Sequence, residues 1–114
     1  MAETIFSKII SGEIPCNKVY EDDLIFAFRD IKPQAPTHIL IIPKEVIPTV
    51  DDLRDNHKEL MGHLMVKATE IARNEGLSEN GYRLVFNCRD YGGQEVYHIH
   101  LHLLGGRQMT WPPG

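Results

Sequence analysis

The stretch Tyr97-His98-Ile99-His100-Leu101-His102-Leu103-Leu104 decides how the rest of this 114-residue chain is read. Side chains alternate across a β-strand, so a strand from Val96 to Leu104 puts His98, His100 and His102 on one face and Ile99, Leu101 and Leu103 on the other. Half of the six histidines in the chain fall in these few positions. A single imidazole in a core is ordinary, but a row of three backed by a continuous apolar face calls for a chemical explanation.

Two chemistries compete for the row. Imidazole is a common zinc ligand, yet at ~3.3 Å per residue His98 and His102 lie ~13 Å apart along a strand, too far to share one ion. A zinc site would need two of them plus a third ligand such as His38, Glu95 or Cys88, and it is the second reading. Acid/base and nucleophilic work is the first, because imidazole titrates near neutrality, with a reference pKa of about 6.5. One ring can attack while its neighbours donate or share protons. Immediately upstream, Gly92-Gly93-Gln94-Glu95 offers backbone that can approach a ligand closely and N–H groups that can cradle an anion.

Outward from this strand, the other elements follow from local pattern. His38-Ile39-Leu40-Ile41-Ile42, ended by Pro43, reads as a buried central strand. Lys18 to Glu21 and Leu24 to Arg29 read as a hairpin turning through Asp22-Asp23, with a proline-containing loop from Asp30 to Pro36 after it. Tyr82 to Asn87 is a further strand, followed by a turn-rich loop to Gly93. Thr4 to Ile10 spaces its apolar residues as a short amphipathic helix, with Thr4 as N-cap and Ser11-Gly12 as the stop. From Asp55 to Asn74 the apolar stripe Leu60, Met61, Leu64, Met65, Ala68, Ile71 and Ala72 marks a long helix that covers one sheet face, with Gly76 as its C-cap. His57 falls on that stripe as a packed or capping residue, and His63 falls off it, facing solvent. Hairpin-linked strands with helices set apart predict one α+β domain over 1–114, with an antiparallel sheet and an irregular tail at 105–114.

Composition narrows the function. Hydrophobic residues at 42% and charged residues at 25% are ordinary for a globular domain. A net charge of −4 argues against a sequence-independent nucleic-acid binder, which needs clustered Lys and Arg, but it leaves room for a local anion site. Two widely spaced cysteines, no signal-peptide pattern and no long apolar run predict a cytoplasmic protein without a membrane span. A small domain with a sheet edge is also a natural dimer.

The chain resembles the histidine triad family, in its Hint branch of nucleotide-binding proteins of the bacterial type. The resemblance rests on the alternating His98 to Leu104 run, on Thr4-Ile5-Phe6 to Ile14-Pro15, on Phe28-Arg29-Asp30-Ile31 through Pro33-Gln34-Ala35-Pro36-Thr37-His38, on Gly92-Gly93-Gln94, and on Gly105-Gly106-Arg107-Gln108-Met109. It implies a five-stranded antiparallel sheet with one long and one short helix, joined in a homodimer into a continuous ten-stranded sheet. The implied activity is hydrolysis of purine nucleoside 5′-phosphoramidates to an amine and a nucleoside monophosphate such as AMP or GMP, with no cofactor and no metal. His100 would be the nucleophile. His102 would contact phosphate and the leaving group, and His98 and His38 would orient His100 and share its proton. Asp30 would hold the ribose, Asn87 would lie near ribose and phosphate, and Gly93, Gln94 and Glu95 would meet the phosphate. Ile5, Phe6, Ile9, Phe28 and Ile31 would form the purine slot, and Trp111 would approach the partner subunit's site. Glu95 stands where some relatives carry a hydroxyl donor, and a carboxylate accepts where a hydroxyl donates. His102, rather than glutamine, at the third position of the triad implies hydrolysis over nucleotidyl transfer.

Overall fold

A computed structural model describes residues 3–114. Helix α1 spans Ile5–Ser11, and its ends are set by the expected residues. Thr4 and Ser7 form a reciprocal capping box, and Gly12 closes the helix at φ 87°, donating its N–H to the Ile9 carbonyl. Strands β1 (Lys18–Glu21) and β2 (Ile25–Arg29) form the hairpin, with Asp22 Oδ1 accepting the N–H groups of Leu24 and Ile25 to hold the turn. Strand β3 spans Thr37–Pro43. Helix α2 spans Lys58–Asn74, starting later than the expected Asp55 because 55–57 form a separate 3-10 turn. Glu75 is its C-cap, and the Gly76 and Leu77 N–H groups close it onto the Arg73 and Ala72 carbonyls. Gly76 takes φ 77°, so it serves as the left-handed residue just past the cap. Strands β4 (Tyr82–Phe86) and β5 (Leu101–Gly105) complete one antiparallel sheet of order β1-β2-β3-β5-β4.

The last strand is shorter than its alternating sequence suggests. Leu101 pairs with Ile41 on one side and with Phe86 on the other; upstream of it β4 has ended, and the last two residues of β3, Ile42 and Pro43, pair only with β2. Proline 43 has no N–H to extend a ladder, and the Ile99 N–H turns instead to the Ile47 carbonyl at 2.7 Å. Residues 96–100 therefore approach the sheet as irregular backbone.

The sheet separates two apolar clusters. Ile25, Ala27, Ile39, Ile41, Leu101 and Leu103 face Leu64, Ala68, Ile71 and Ala72 of α2. Phe26, Phe28, Leu40 and Ile42 face Phe6 and Ile9 of α1. Met65, assigned to the buried stripe by spacing, is 37% exposed, because the contact of a straight helix with a twisted sheet is narrower than the stripe. His63 is also not a free solvent-facing residue: its Nε2 lies 2.7 Å from Asp22 Oδ2 and ties α2 to the β1–β2 turn. His57 caps locally, its Nδ1 accepting the Arg54 N–H at 2.9 Å.

Candidate active site

The face covered by α1 is only partly covered, since a helix of seven residues cannot span five strands. The uncovered part is a cavity of about 400 Å³. Ile5, Phe6, Ile9, Phe28 and Ile31 line it on the apolar side, and Asp30, Asn87, Gly93, Glu95, His100 and His102 on the polar side. Ile14, Pro15, Cys16, Leu40 and Val96 complete the wall; of these only Ile14-Pro15 carries a signal in the sequence, as part of a family-like stretch. Arg29 also reaches the wall, but its guanidinium is held by Glu75 in a two-pronged ion pair at 2.9 and 3.0 Å. A larger depression of about 550 Å³, between the α2–β4 turn and the tail, contains neither histidine nor carboxylate among its lining residues. The chemistry is concentrated in the smaller one.

Register explains which imidazoles meet. His38 pairs with Leu104 and Leu40 with His102, so His38 and His102 are diagonal neighbours on the same sheet face, within reach of ring-sized side chains. His38 Nε2 lies 2.9 Å from His102 Nδ1. His100 is next in the row, with its ring centroid 5.0 Å from that of His102 and 5.0 Å from Phe6, which meets it edge-on. His98 is fully buried behind α1, its Nε2 on the Pro43 carbonyl at 2.8 Å and its Nδ1 3.4 Å from Thr4 Oγ1. The alternation in sequence thus keeps its sidedness even where the strand is lost.

The hydrogen-bond partners fix the tautomers. A carbonyl only accepts, so His100 Nδ1, 2.8 Å from the His98 carbonyl, carries the proton and Nε2 keeps a lone pair. His38 Nδ1 accepts the Gln34 N–H at 3.0 Å, so its proton is on Nε2 and is donated to His102 Nδ1. His102 must then carry its own proton on Nε2. The site therefore combines one bare ring nitrogen, on His100, with one N–H donor, on His102. Burial pushes the pKa of His102 down to about 4, helped by neighbouring His100 and His38. Burial also lowers His100, opposed by the His98 carbonyl and by the charges of Asp30 and Glu95. His38 and His98 are lowered for the same first reason. All four rings are neutral at pH 7, the state a nucleophile needs.

These contacts differ from the roles that the resemblance implies. His98 orients His100 through its backbone carbonyl rather than through its ring, and His38 pairs with His102 rather than with His100. Gln94 does not face the cavity with its side chain; it is buried, with Nε2 on the Pro48 and Val96 carbonyls and Oε1 on the Arg89 N–H. The expected Gly93–Gln94 cradle is closed, because the Gly93 N–H bonds the Asp90 carbonyl and the Gln94 N–H bonds the Arg89 carbonyl, each at 3.0 Å. Gly92 permits that tight turn, since a Cβ there would collide with the Cys88 backbone. Asn87 braces it by donating to the Gly92 carbonyl at 2.6 Å. Asp30 spends Oδ1 on the Lys32 N–H at 2.8 Å and places Oδ2 3.5 Å from His38 Nε2. Trp111 is 82% exposed and does not line the cavity.

Asp30, His38 and His102 form the one constellation among the described residues whose donor atoms all approach within 4.8 Å. It contains His38, one of the third ligands the zinc reading names, but only one histidine of the row, with Asp30 in place of a second. Two nitrogens bound to tetrahedral zinc at ~2.0–2.1 Å stand about 3.3 Å apart, whereas the 2.9 Å between His38 and His102 is a hydrogen-bond distance with a proton between the rings. The spacing of the two rings is that of a hydrogen bond.

Fold and site together define a small α+β domain that presents an unprotonated imidazole nitrogen to a half-apolar cavity. Residues 11–109 match the HIT domain family, and the chain belongs to it. It is 61% identical to the purine nucleoside phosphoramidase of Escherichia coli K12 over 107 residues, 94% of this chain and 90% of that protein. It is 57% identical to a 14 kDa zinc-binding protein of Zea mays over 113 residues, covering 97% of this chain and 88% of the maize protein. Among solved structures, a HIT family hydrolase from Legionella pneumophila Philadelphia 1 superposes with a TM-score of 0.97 at 62% identity, covering 98% of this chain and 100% of that one.

Proposed function

We propose that the protein hydrolyses purine nucleoside 5′-phosphoramidates through a covalent intermediate on His100. The observation that carries this reading is the hydrogen bond from His100 Nδ1 to the His98 carbonyl, which leaves Nε2 bare, neutral and in the cavity. Likeness to the E. coli phosphoramidase supports the substrate class. The purine fits the apolar side, among Phe6, Ile9 and Phe28, with Ile5 and Ile31 at the rim, and Asp30 meets the ribose. Since the Gly93 and Gln94 N–H groups are engaged within their turn, phosphate is met by the His102 Nε2–H and by the Glu95 N–H, which has no partner among the described residues.

In the first step the His100 Nε2 lone pair forms a bond to the α-phosphorus while the P–N bond breaks. The bonding pair stays on the departing nitrogen, which takes one proton from solvent and is steadied by the His102 N–H. In the second step water attacks the nucleotidyl-histidine, the P–N bond to His100 breaks, and the released proton returns to solvent. Splitting one displacement into two is what a neutral ring nucleophile offers. The His98 carbonyl holds the Nδ1 proton throughout and favours the positive ring formed in the intermediate.

A homodimer joined along β4, the sheet edge whose residues are all half-buried, completes the reading, with Trp111 reaching toward the partner subunit's site and the protein acting in the cytoplasm. His100→Ala is expected to lower turnover of adenosine 5′-phosphoramidate at least ~10³-fold while calorimetry still registers AMP binding. Undiminished turnover in that variant overturns the mechanism.

A further inference from the structure

We propose that Glu95 selects the leaving group: its carboxylate favours groups that are protonated and positive as they begin to depart, as amine nitrogens are, over groups that depart as anions. This rests on the phosphoramidate reading and deepens it. Glu95 lines the same cavity as His100 and His102. Among the described residues its side chain has neither an ion-pair nor a hydrogen-bond partner, while the nearby arginines are committed elsewhere, Arg89 to Asp51 at 3.1 Å and Arg29 to Glu75. A bare carboxylate facing a cavity that takes a phosphate opposes binding of the anion. That cost falls on bound substrate and transition state alike, so it raises KM without itself slowing the chemical step.

The chemical step gives the charge a use. When a P–N bond breaks, the nitrogen takes up its proton while still bonded to phosphorus, is positive as it begins to depart and leaves with the bonding pair as the neutral amine, and a fixed negative charge in the cavity stabilises the positive form. When a phosphorus–oxygen bond to a phenolate or phosphate breaks, the departing oxygen keeps the pair and becomes negative, and the same carboxylate opposes it. The charge reaches the reacting region, because Glu95 acts on the His100 ring in the direction of a cation. A unit charge several ångströms away in a partly solvated site changes a rate by about tenfold.

The test compares the wild-type protein with Glu95→Gln and Glu95→Asp on two substrates that share the adenosine and the α-phosphorus. One releases a simple alkylamine from phosphorus; the other releases 4-nitrophenolate. Glutamine is expected to lower kcat about tenfold on the amine substrate, to raise it on the nitrophenyl ester, and to tighten inhibition by AMP, with aspartate restoring most of the preference for amines. A ratio of the two kcat values that stays within about twofold of wild type overturns the proposal, whether both rates fall together, as a merely structural residue would cause, or neither moves. Wild-type protein that turns over no phosphoramidate overturns the phosphoramidate reading and the Glu95 assignment with it.

Discussion

The two faces of the sheet are built from the same strands, and they end up with opposite properties. Toward α2, Ile39, Ile41, Leu101 and Leu103 meet Leu64 and Ala68 in a cluster with essentially no exposed surface. Toward α1, the alternate residues of the same two strands are His38, Leu40 and His102, beside a cavity. The difference comes from helix length. Seventeen residues of α2 close one face, whereas the seven of α1 leave a gap that polar side chains and a ligand can use. The α2 side is wholly apolar packing, whereas the α1 side combines a smaller apolar cluster with the titratable side chains of the cavity.

The largest effect is expected on the closed face. Leu64→Ala removes a fully buried side chain from the α2 cluster and is expected to cost about 2–5 kcal/mol in denaturant unfolding. Turnover per folded molecule should change little, and a parallel loss of kcat would show that the faces are coupled.

Acid should act on the other face. With His102 depressed to about 4 in the folded state against about 6.5 unfolded, the unfolded chain binds the extra proton first. Stability is therefore full above pH 6.5 and declines as pH falls from 6.5 to 4, by on the order of 3 kcal/mol from this ring, with no further loss from it below 4. The burial-lowered His100 predicts, on the same grounds, that the acid limb of kcat/KM has its midpoint below 6.5. A profile that halves near pH 6.5 would contradict the neutral, buried nucleophile.

A smaller effect is expected from the relay. His38→Phe keeps an aromatic ring at a buried position and removes the donor to His102 Nδ1, freeing the His102 proton to sit on either nitrogen. Loss of kcat by about 10–100-fold, equivalent to roughly 1.4–2.7 kcal/mol, with AMP affinity retained, is the expected result in steady-state assays. Unchanged kcat would remove His38 from the chemistry.

The two faces also differ in how far they can be read from sequence. Periodicity suffices for most of the closed face: the β3 run and the α2 stripe, apart from the helix start and Met65, have local causes and lie where the residues place them, as do the Thr4 and Gly12 caps of α1 on the other side. The open face depends on pairing between distant segments. That three histidines share a side is written in their spacing, but that His38 meets His102 follows from the β3–β5 register, which joins residues 64 positions apart. The start of β5 is hidden for the same reason, since the alternation continues through residues where β4 has ended and Pro43 of β3 offers no N–H to pair with. The closed Gly93–Gln94 turn and the Asp22–His63 contact likewise depend on which group reaches a donor first in three dimensions.

The bare nitrogen of His100 carries the chemistry proposed for this cavity. Rapid-quench mixing of the protein with adenosine 5′-phosphoramidate under conditions that preserve phosphorus–nitrogen bonds, followed by intact-mass and peptide-level mass spectrometry, tests it most directly. The expected result is an adenylyl adduct on His100 that forms and decays at rates consistent with turnover and is absent from His100→Ala. An adduct mapped to His98 or His102, or turnover with no adduct on His100 when its decay is rate-limiting, would contradict it.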